Sequence, residues 1–323
     1  MSIISNCTAS VIKDAATSLI GGNLVAFPTE TVYGLGADAT NEKAVARIYE
    51  VKGRPTDHPL IVHISSMGLL DQWASEVPEY AIKLARAFWP GPMTLILPRT
   101  DLAKNFITGG QNNVGIRVPA HAVALSLLKE FEAQGGLGVA APSANRFGKV
   151  SPTTADHVSK DLGIYLQKND LILNGGPTSV GIESTIINCT QNEPKILRPG
   201  AITATMISET LDLNHELEDQ NLSNEIRTSG LLKSHYTPAA QVILNEKPLE
   251  GDGLIAPLSY ATPAGVIRIA SPGNSEEYAR ILYHSLREAD RKNLKRICVV
   301  TPENIGIGQA INDRLNHAST NEL

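Results

Sequence analysis

Basic and hydroxyl-bearing side chains stand beside several apolar runs in the first 200 residues. One segment, Phe27-Pro-Thr-Glu-Thr-Val-Tyr-Gly-Leu-Gly36, leaves an apolar run for a loop rich in hydroxyls and glycines. A second segment, Lys52-Gly-Arg-Pro-Thr-Asp-His-Pro-Leu60, presents three basic side chains along a path that glycine and proline restrict. Guanidinium and ammonium groups bind phosphates, and so do backbone N–H groups at a helix start. These residue types predict a pocket for an anion or a nucleotide.

Shorter segments farther along the chain add small donors and two more arginines: Gly115-Ile-Arg-Val-Pro119, Ala141-Pro-Ser-Ala-Asn145, Gly148-Lys-Val-Ser-Pro152, Gly181-Ile-Glu-Ser-Thr185 and Leu197-Arg-Pro-Gly200. Several of these residues also have simpler explanations. Lys52 and Arg54 would favour a helix C-terminus, and Arg117 could pair with a buried carboxylate. Ser151 could be only a helix cap, and His63 a hydrogen-bonded core histidine. Taken together, the segments favour the pocket.

The common nucleotide and hydrolase motifs are absent from the sequence. It contains no Gly-x-x-x-x-Gly-Lys-Ser/Thr and no Gly-x-Ser-x-Gly. Gly34-Leu-Gly-Ala-Asp-Ala39 matches a looser dinucleotide pattern, but a Rossmann turn follows its strand directly and here Pro28 to Tyr33 intervene. The sequence therefore argues against a P-loop enzyme, a serine hydrolase of the elbow type and a Rossmann dinucleotide site.

Composition indicates a globular protein of two domains. The chain has 323 residues, 42% hydrophobic, with a net charge of −5. Residues 1–200 hold 17 basic and 17 acidic side chains, which lacks the basic footprint of a nucleic-acid-binding domain. No apolar run approaches the ~20 residues of a membrane span, and no secretory signal is visible. Three scattered cysteines fit neither a disulfide framework nor a zinc site, so we expect a cytoplasmic protein.

The elements that must position these residues alternate between short strands and helices. Predicted strands are Leu24–Phe27, Leu60–Ile64, Thr94–Leu97, Val114–Val118, Gly138–Ala141, Leu171–Leu173 and Ser184–Ile187. Predicted helices are Asn41–Glu50, Glu79–Phe88 and His121–Glu132, and Ser151-Pro152 is interpreted as an N-cap followed by the first helical residue. Because some strands are joined without a helix, we expect an α/β domain with a mixed sheet.

The charge and apolar composition of the chain change after residue 200. Ser208 to Ile226 holds six acidic residues and no basic one, which is typical of an exposed linker. The last ~85 residues then resume an α/β pattern that predicts a small parallel sheet. Its predicted strands are Gln241–Leu244, Gly253–Ala256, Val266–Ile269 and Arg296–Val300, and its predicted helices are Ser275–Ala289 and Ile307–Leu315.

At this point the motifs resemble a known family. Lys52-Gly-Arg54, Ser143-Ala-Asn145 and the segments 27–36 and 181–185 resemble threonylcarbamoyl-AMP synthases, the YrdC-like family. The resemblance covers about residues 10–240, and His235-Tyr-Thr-Pro238 is similar to the long form with a linker and a C-terminal domain. It implies a YrdC-like twisted mixed sheet with helices over residues 1–205, a linker over 206–239 that reaches the active site, and a smaller Rossmann-like α/β domain over 240–323.

The resemblance also implies a reaction. L-Threonine, bicarbonate or CO₂, and ATP (with Mg²⁺) would yield threonylcarbamoyl-AMP and pyrophosphate, and downstream transferase proteins would use the adenylate to modify the adenosine beside the tRNA anticodon. Such an enzyme is a nucleotidyltransferase that needs no protein nucleophile and no metal held by protein side chains alone. Whether tRNA or the transferase binds directly, and the oligomeric state, are left open by the sequence.

Site residues follow from the same resemblance. For L-threonine they are Thr31, His63, Arg117, Ala141 and Ser184, with Arg117 facing the carboxylate. For ATP they are Arg54, His58, Asn113, Ser143, Ser151, Arg198 and Tyr236. Lys52, Arg54 and Asn145 are the predicted catalytic residues near the phosphates. Because Tyr236 lies behind the acidic stretch, we expect the linker to be a lid, with residues around 225–238 protected by bound ATP and threonine; the alternative is a plain tether.

Two other functions compete with this hypothesis. A non-enzymatic RNA-binding or ribosome-associated factor would use the same basic concavity, but the neutral first 200 residues argue against it. A carbamoyltransferase of the hydrogenase-maturation type resembles a longer chain with paired Cys-x-x-Cys motifs, and this sequence has none. The synthase is therefore the favoured function.

Overall fold

The structure, a computed structural model, describes residues 3–215, 217, 226–228 and 236–320. Two sheets organise these residues. A ten-stranded sheet belongs to the first 200 residues, and a four-stranded sheet belongs to the last 80. Among the residues described, no helix combines the length and the apolar composition that crossing a bilayer requires.

Ten strands build the large sheet: β1 (Ile3–Asn6), β2 (Val25–Pro28), β3 (Tyr33–Asp38), β4 (Ile61–His63), β5 (Met93–Pro98), β6 (Asn113–Arg117), β7 (Val139–Ala140), β8 (Leu171–Asn174), β9 (Thr185–Asn188) and β10 (Lys195–Arg198). Their order is β1-β8-β2-β3-β7-β4-β6-β5-β9-β10. Pairs such as β4–β6 and β5–β9 are parallel, whereas β2–β3, β4–β7 and β5–β6 are antiparallel. The predicted mixed sheet is confirmed.

Helices cover this sheet and bury its apolar side chains. They are α1 (Ala9–Ile20), α2 (Glu42–Lys52), α3 (Leu70–Trp73, after a 3-10 turn at Met67–Leu69), α4 (Glu79–Phe88), α5 (Asn105–Thr108), α6 (Ala122–Ala133), α7 (Ala155–Leu162) and α8 (Ala204–Leu211). Side-chain caps explain several starts: Asn41 accepts from the Ala44 N–H at the start of α2, and His121 accepts from the Val123 N–H at the start of α6. The predicted helices at 41–50, 79–88 and 121–132 are confirmed.

Two local predictions in the first domain were wrong. The hydroxyl- and glycine-rich segment was expected to be a loop after Phe27, but Tyr33–Asp38 turns back as β3 and pairs with β2. Sequence periodicity missed this strand because its two glycines break the apolar pattern. Ser151 was interpreted as a helix cap, but α7 begins four residues later and its cap is Thr154, which accepts from the His157 N–H. The Ser151 hydroxyl contacts a carboxylate instead.

The second sheet is parallel throughout, as predicted. Its strands are β11 (Gln241–Leu244), β12 (Gly253–Ile255), β13 (Ile267–Ala270) and β14 (Arg296–Val299), in the order β11-β14-β12-β13. Two helices, α9 (Ser275–Arg291) and α10 (Ile307–Ser319), pack on each other and on this sheet. The result is the small α/β domain expected from the sequence.

The segment between the two sheets is only partly described. The linker was predicted from residue 206, but residues 204–211 form α8, and the fully buried Ile207 belongs to the core of the first domain. Residues 226–228 lie against that domain, where Arg227 exchanges two hydrogen bonds with the Gln111 side chain. Most of the predicted lid, residues 229–235 included, lies outside the described residues, so the lid stays a prediction.

Candidate active site

A pocket with about 550 Å³ of empty volume opens where β3, β4, β6 and the segments before β9 come together. Nine of the predicted site residues line it: Thr31, Arg54, His63, Arg117, Ala141, Ser143, Ser184, Arg198 and Tyr236. The other lining residues are Thr29, Val32, Gly34, Ile61, Pro142 and Glu183. All five predicted threonine residues are therefore in one cavity with four of the predicted ATP residues.

The Arg117 guanidinium is the anchor of one end of the pocket. It lies at the end of β6 and donates through Nη2 to Glu30 Oε1 at 2.6 Å and through Nη1 to Thr31 Oγ1 at 3.0 Å. Its Nε donates to the Gly91 carbonyl at 3.2 Å. A planar guanidinium held on three sides has a fixed orientation, and each Nη still has a second hydrogen to donate. The simpler explanation, a buried ion pair, is thus present, and the arginine lines the pocket as well.

His63 lies beside Arg117 in the neighbouring strand, since β4 and β6 pair with His63 opposite Arg117. Burial and the Arg117 charge lower the pKa of His63 to about 3, so the ring is neutral at physiological pH. Its Nδ1 is buried and has no hydrogen-bond partner within the described part of the chain. A neutral imidazole with an unused nitrogen is suited to hydrogen-bond a small polar ligand.

Two more arginines line the pocket. Arg198, at the end of β10, donates to the Ser184 carbonyl through Nε at 3.1 Å and Nη2 at 2.8 Å, and reaches the Ser184 hydroxyl at 3.2 Å. Arg54 donates to the Pro59 carbonyl at 3.0 Å. Burial lowers the pKa of Arg54 to about 10, which leaves it charged at neutral pH. Buried cations beside a cavity are the groups that bind a phosphate chain.

Lys52 lies behind the pocket wall rather than in it. It is the last residue of α2, and its Nζ donates to the Ser143 carbonyl at 2.6 Å and to the Asn145 carbonyl at 2.5 Å. Full burial lowers its pKa well below the ordinary lysine value. The Asn145 amide donates to the Arg146 and Lys149 carbonyls. These two predicted catalytic residues therefore fix the loop that carries Ser143 into the cavity.

The remaining predicted ATP residues surround the pocket without lining it. His58 and Arg54 share the Phe147 ring, with the His58 ring centroid 5.3 Å from it and the Arg54 guanidinium 5.8 Å away. Asn113 lines a neighbouring cavity of about 310 Å³ that shares Ile61 with the pocket. Ser151 is fully buried, and its hydroxyl donates to Glu183 at 2.6 Å.

Two carboxylates of the site were not singled out from the sequence. Glu30 holds Arg117, and Glu183 lines the pocket while accepting hydrogen bonds from Ser151 and from Tyr283. Burial raises the pKa of Glu183, but Arg314, Arg198 and the hydrogen-bond donors outweigh it and bring the pKa to about 2. Both glutamates stand inside the quoted motifs, each directly before a hydroxyl-bearing residue, so position in a motif was the available signal.

The described residues contain no group of three or more His, Cys, Asp or Glu side chains that could hold a metal ion. The pocket itself has one carboxylate, Glu183, and that carboxylate is already paired. The lining residues that the structure describes combine cations, hydroxyls and a neutral imidazole, and their threonine and serine hydroxyls make no hydrogen bond to a described carboxylate or histidine ring. The arrangement is therefore suited to binding and orienting an amino acid beside a nucleotide.

Comparisons with known proteins cover both domains. Residues 18–200 match a family model for Sua5, YciO and YrdC that is described as "Telomere recombination". Residues 202–320 match a model described as "Threonylcarbamoyl-AMP synthase, C-terminal domain".

Individual relatives match over nearly the full length. A threonylcarbamoyl-AMP synthase of Pyrococcus abyssi is 40% identical over 340 residues, which span 99% of this chain and 98% of that protein. One from Bacillus subtilis is 40% identical over 95% of this chain and 92% of its own. The crystal structure of P. abyssi Sua5 complexed with L-threonine superposes with a TM-score of 0.89 and 38% identity, over 98% of both chains.

Proposed function

The chain belongs to the long-form threonylcarbamoyl-AMP synthase family, and on that premise we propose that its pocket joins L-threonine, bicarbonate or CO₂, and ATP into threonylcarbamoyl-AMP. One observation carries the proposal: the five threonine candidates and four ATP candidates line a single cavity. The product would then serve the transferase proteins that modify the adenosine beside the tRNA anticodon.

We place threonine beside Arg117 and call this part of the pocket the threonine end. The substrate is a small zwitterion whose carboxylate needs a cation of fixed orientation, and Arg117 is held by Glu30, Thr31 and Gly91. The neutral His63 ring offers its unused Nδ1 to the amino or hydroxyl group. The Ser184 hydroxyl, 2.8 Å from Thr94 Oγ1, is a further polar contact on the same wall.

We place ATP beside the other two arginines that line the cavity, Arg54 and Arg198, and call this part of the pocket the nucleotide end. The triphosphate is anionic, so buried guanidinium groups both bind it and stabilise the negative charge on the phosphate oxygens in the transition state. We propose that magnesium enters as the ATP complex. It would be held chiefly by the phosphates, since the described residues offer no cluster of carboxylates for a resident ion.

The proposed chemistry is nucleotidyl transfer. The threonine amine forms an N–C bond with CO₂ and loses a proton, or with bicarbonate and releases water, to give N-carboxythreonine. One oxygen of its carbamate then attacks the α-phosphorus of ATP. The new O–P bond forms as the α–β phosphoanhydride bond breaks, and pyrophosphate leaves with the bonding electrons. No covalent intermediate on the protein is needed, so catalysis rests on positioning and charge stabilisation.

The structure gives no support to the alternative of an RNA-binding factor. Affinity for RNA depends on cations that reach phosphates at the surface. Arg54, Arg117 and Arg198 are each at most 7% exposed, so a folded RNA has no access to them. A small anionic ligand that enters the cavity can reach these arginines.

A pyrophosphate-release assay on the full chain tests the proposal. We expect release only when ATP, L-threonine and bicarbonate are all present, together with a product whose mass is that of threonylcarbamoyl-AMP. Arg117→Met should abolish the reaction, and Arg86→Met, which changes an exposed arginine on α4, should leave it intact. Pyrophosphate release that is independent of threonine would show that the proposed reaction is wrong.

A further inference from the structure

The C-terminal domain packs on the segments that line the pocket. One apolar cluster contains Val32, Val150 and Ile182 of the first domain together with side chains of α9, α10 and the second sheet. Val32 is itself a pocket residue, and Ile182 precedes Glu183 and Ser184. The core of the second domain is therefore continuous with the wall of the active site.

Gly181 shows how close the two domains come. Its φ is +87°, and a Cβ built there would lie 2.4 Å from the Cα of Arg280 and 2.5 Å from the Ala279 carbonyl oxygen, both in α9. Glycine is required here for the backbone conformation and for the space. The helix backbone thus rests directly on the turn that leads into Glu183.

The Glu183 carboxylate is held from both domains. Its Oε1 accepts from the Ser151 hydroxyl at 2.6 Å. Its Oε2 accepts from the Tyr283 hydroxyl at 2.7 Å and from Arg314 Nε at 3.1 Å. Two of the three donors therefore belong to α9 and α10. A buried carboxylate keeps its charge only when such donors surround it.

Tyr236 is held by the same helices. Its φ of +63° is rare for a residue with a side chain, so the surrounding packing must enforce it. The Tyr283 ring stacks on it with centroids 5.4 Å apart, the Arg314 guanidinium lies 5.7 Å from its centroid, and His317 meets it edge-on at 6.4 Å. All three belong to the C-terminal domain, while Tyr236 lines the pocket.

Arg314, like Tyr283, contacts both Glu183 and Tyr236. It is fully buried; Nε pairs with Glu183, Nη1 pairs with Asp313 at 2.7 Å, and the guanidinium covers the Tyr236 ring. Within the described ranges its Nη2 is buried and makes no hydrogen bond. Burying an arginine with an unused donor is costly, and an apolar side chain of similar volume often packs in such a place without loss of stability, so Arg314 is a candidate for a role beyond packing.

We propose that Arg314 is a positioning residue for the nucleotide end of the active site, acting through Glu183 and Tyr236. This inference rests on the proposed function. It means that the C-terminal domain completes the ATP site, whereas Arg117 and His63, at the threonine end, make their contacts within the first domain.

The test compares ATP and threonine binding in the full chain. Arg314→Met should raise the KM for ATP, and the Kd of a non-hydrolysable ATP analogue in calorimetry, at least tenfold, while the Kd for threonine changes less than twofold. The matched control is Arg296→Met, which removes the ion pair with Asp252 inside the C-terminal domain and far from the pocket. We expect that control to bind both ligands as the unaltered chain does.

A pH series separates positioning from simple packing. Glu183 is faced by Ser151, Arg198, Tyr236, Tyr283 and Arg314, and its low pKa depends in part on the last of these. Without Arg314 the carboxylate should take up a proton at higher pH, so the ATP affinity of Arg314→Met should fall between pH 7 and pH 5. Arg314→Lys restores the charge but not the flat contact with Tyr236. It should remove the pH dependence and recover only part of the affinity.

Each outcome decides the proposal. Equal losses of ATP and threonine affinity, or no loss of either, would overturn it. If Arg314→Met does not fold, Tyr283→Phe replaces it, since this variant deletes one hydrogen bond to Glu183 and keeps the stacked ring. It should weaken ATP binding about threefold and leave threonine binding unchanged, and an unchanged ATP affinity would overturn the proposal. Absence of any adenylate from the unaltered chain would instead refute the proposed function, while the binding measurements would still decide the role of Arg314.

Discussion

The two ends of the pocket are built in different ways. Around Arg117 the contacts come from the first domain, since Arg117 lies opposite His63 in the pairing of β6 with β4 and donates to Thr31. Glu183 and Tyr236 are instead held from two domains, because they contact side chains of α9 and α10. From this difference we expect threonine binding to depend on the large sheet alone and ATP binding to depend also on docking of the second domain. Four predictions, three on substitutions and one on pH, test this difference between the two ends.

The largest effect is expected at the threonine end. Arg117→Met removes the only guanidinium there among the described lining residues, and losing such a charge-assisted pair costs ~2–5 kcal/mol, or about 30- to 5,000-fold in affinity. We expect calorimetry to show threonine binding lost and binding of an ATP analogue changed less than threefold.

The control for this prediction must account for Glu30, the carboxylate that pairs with Arg117. Arg117→Met leaves Glu30 buried and unpaired, which by itself destabilises the fold. The double variant Glu30→Gln/Arg117→Met removes that charge and should regain thermal stability without regaining threonine affinity. Threonine affinity that returned with the stability would show that Arg117 is only structural, and the comparison would fail at its first step.

The second effect concerns the loop that both ends share. Lys52→Met deletes two hydrogen bonds from the Lys52 Nζ to the carbonyls of Ser143 and Asn145, and a typical hydrogen bond contributes about 0.5–1.5 kcal/mol. Because Ser143 lines the cavity, we expect turnover to fall roughly 30- to 100-fold, with a smaller change in threonine affinity. The matched control is Lys43→Met on the exposed face of the same helix, which should keep full turnover. A normal kcat at saturating ATP in Lys52→Met would show that this residue is not needed for catalysis.

The family resemblance of the sequence motifs named Thr31, His63, Arg117, Ala141 and Ser184 as one group, and the structure brings all five into one cavity. That these residues bind threonine stays a prediction. Local rules gave the bounds of α4 and the start of α9 correctly. Apolar periodicity and a capping side chain are short-range signals, and short-range signals can be seen in the sequence.

The nucleotide end could be predicted only in part. Ser151 looked like a helix cap because Ser-Pro is a common helix start, but its hydroxyl contacts Glu183. Nothing near Tyr283 or Arg314 in the sequence distinguishes them from ordinary residues of an amphipathic helix. Their importance comes from a contact with a residue 100 or more positions away, and one sequence carries no signal for such a pairing.

A third, smaller effect tests whether docking of the second domain matters for ATP alone. Gly181→Ala forces a methyl group against the backbone of α9 and should lower ATP affinity about tenfold, ~1.4 kcal/mol, with threonine binding unchanged. Gly251→Ala is the control, because its φ of +85° gives the same backbone strain while its Cβ position has no atom within 4 Å. Equal losses of ATP affinity in the two variants would attribute the effect to strain rather than to docking.

The smallest effect is on stability, and it follows from the different titrating groups at the two ends. His63 has a folded-state pKa of about 3 against an ordinary 6.5, so below pH 6.5 the unfolded chain binds a proton that the folded chain does not. Stability from this group is therefore complete above about pH 6.5 and decreases as the pH falls toward 3. Between pH 7.5 and pH 6 the loss is roughly 0.8 kcal/mol. Glu183, with a pKa of about 2 against 4.5, adds a loss only below about pH 4.5.

Urea unfolding at pH 7.5 and pH 6 measures this difference. In His63→Gln the fall in unfolding free energy should be smaller than in the unaltered chain by roughly 0.8 kcal/mol, because the glutamine does not titrate. His157, whose pKa burial also lowers to about 3, keeps its own share of the pH dependence in both proteins. His215→Gln changes an exposed histidine and should leave the fall unchanged. If His63→Gln showed the same pH dependence as the unaltered chain, the imidazole would not be held neutral beside Arg117, and a neutral hydrogen-bonding partner for threonine would have to be sought elsewhere at that end of the pocket.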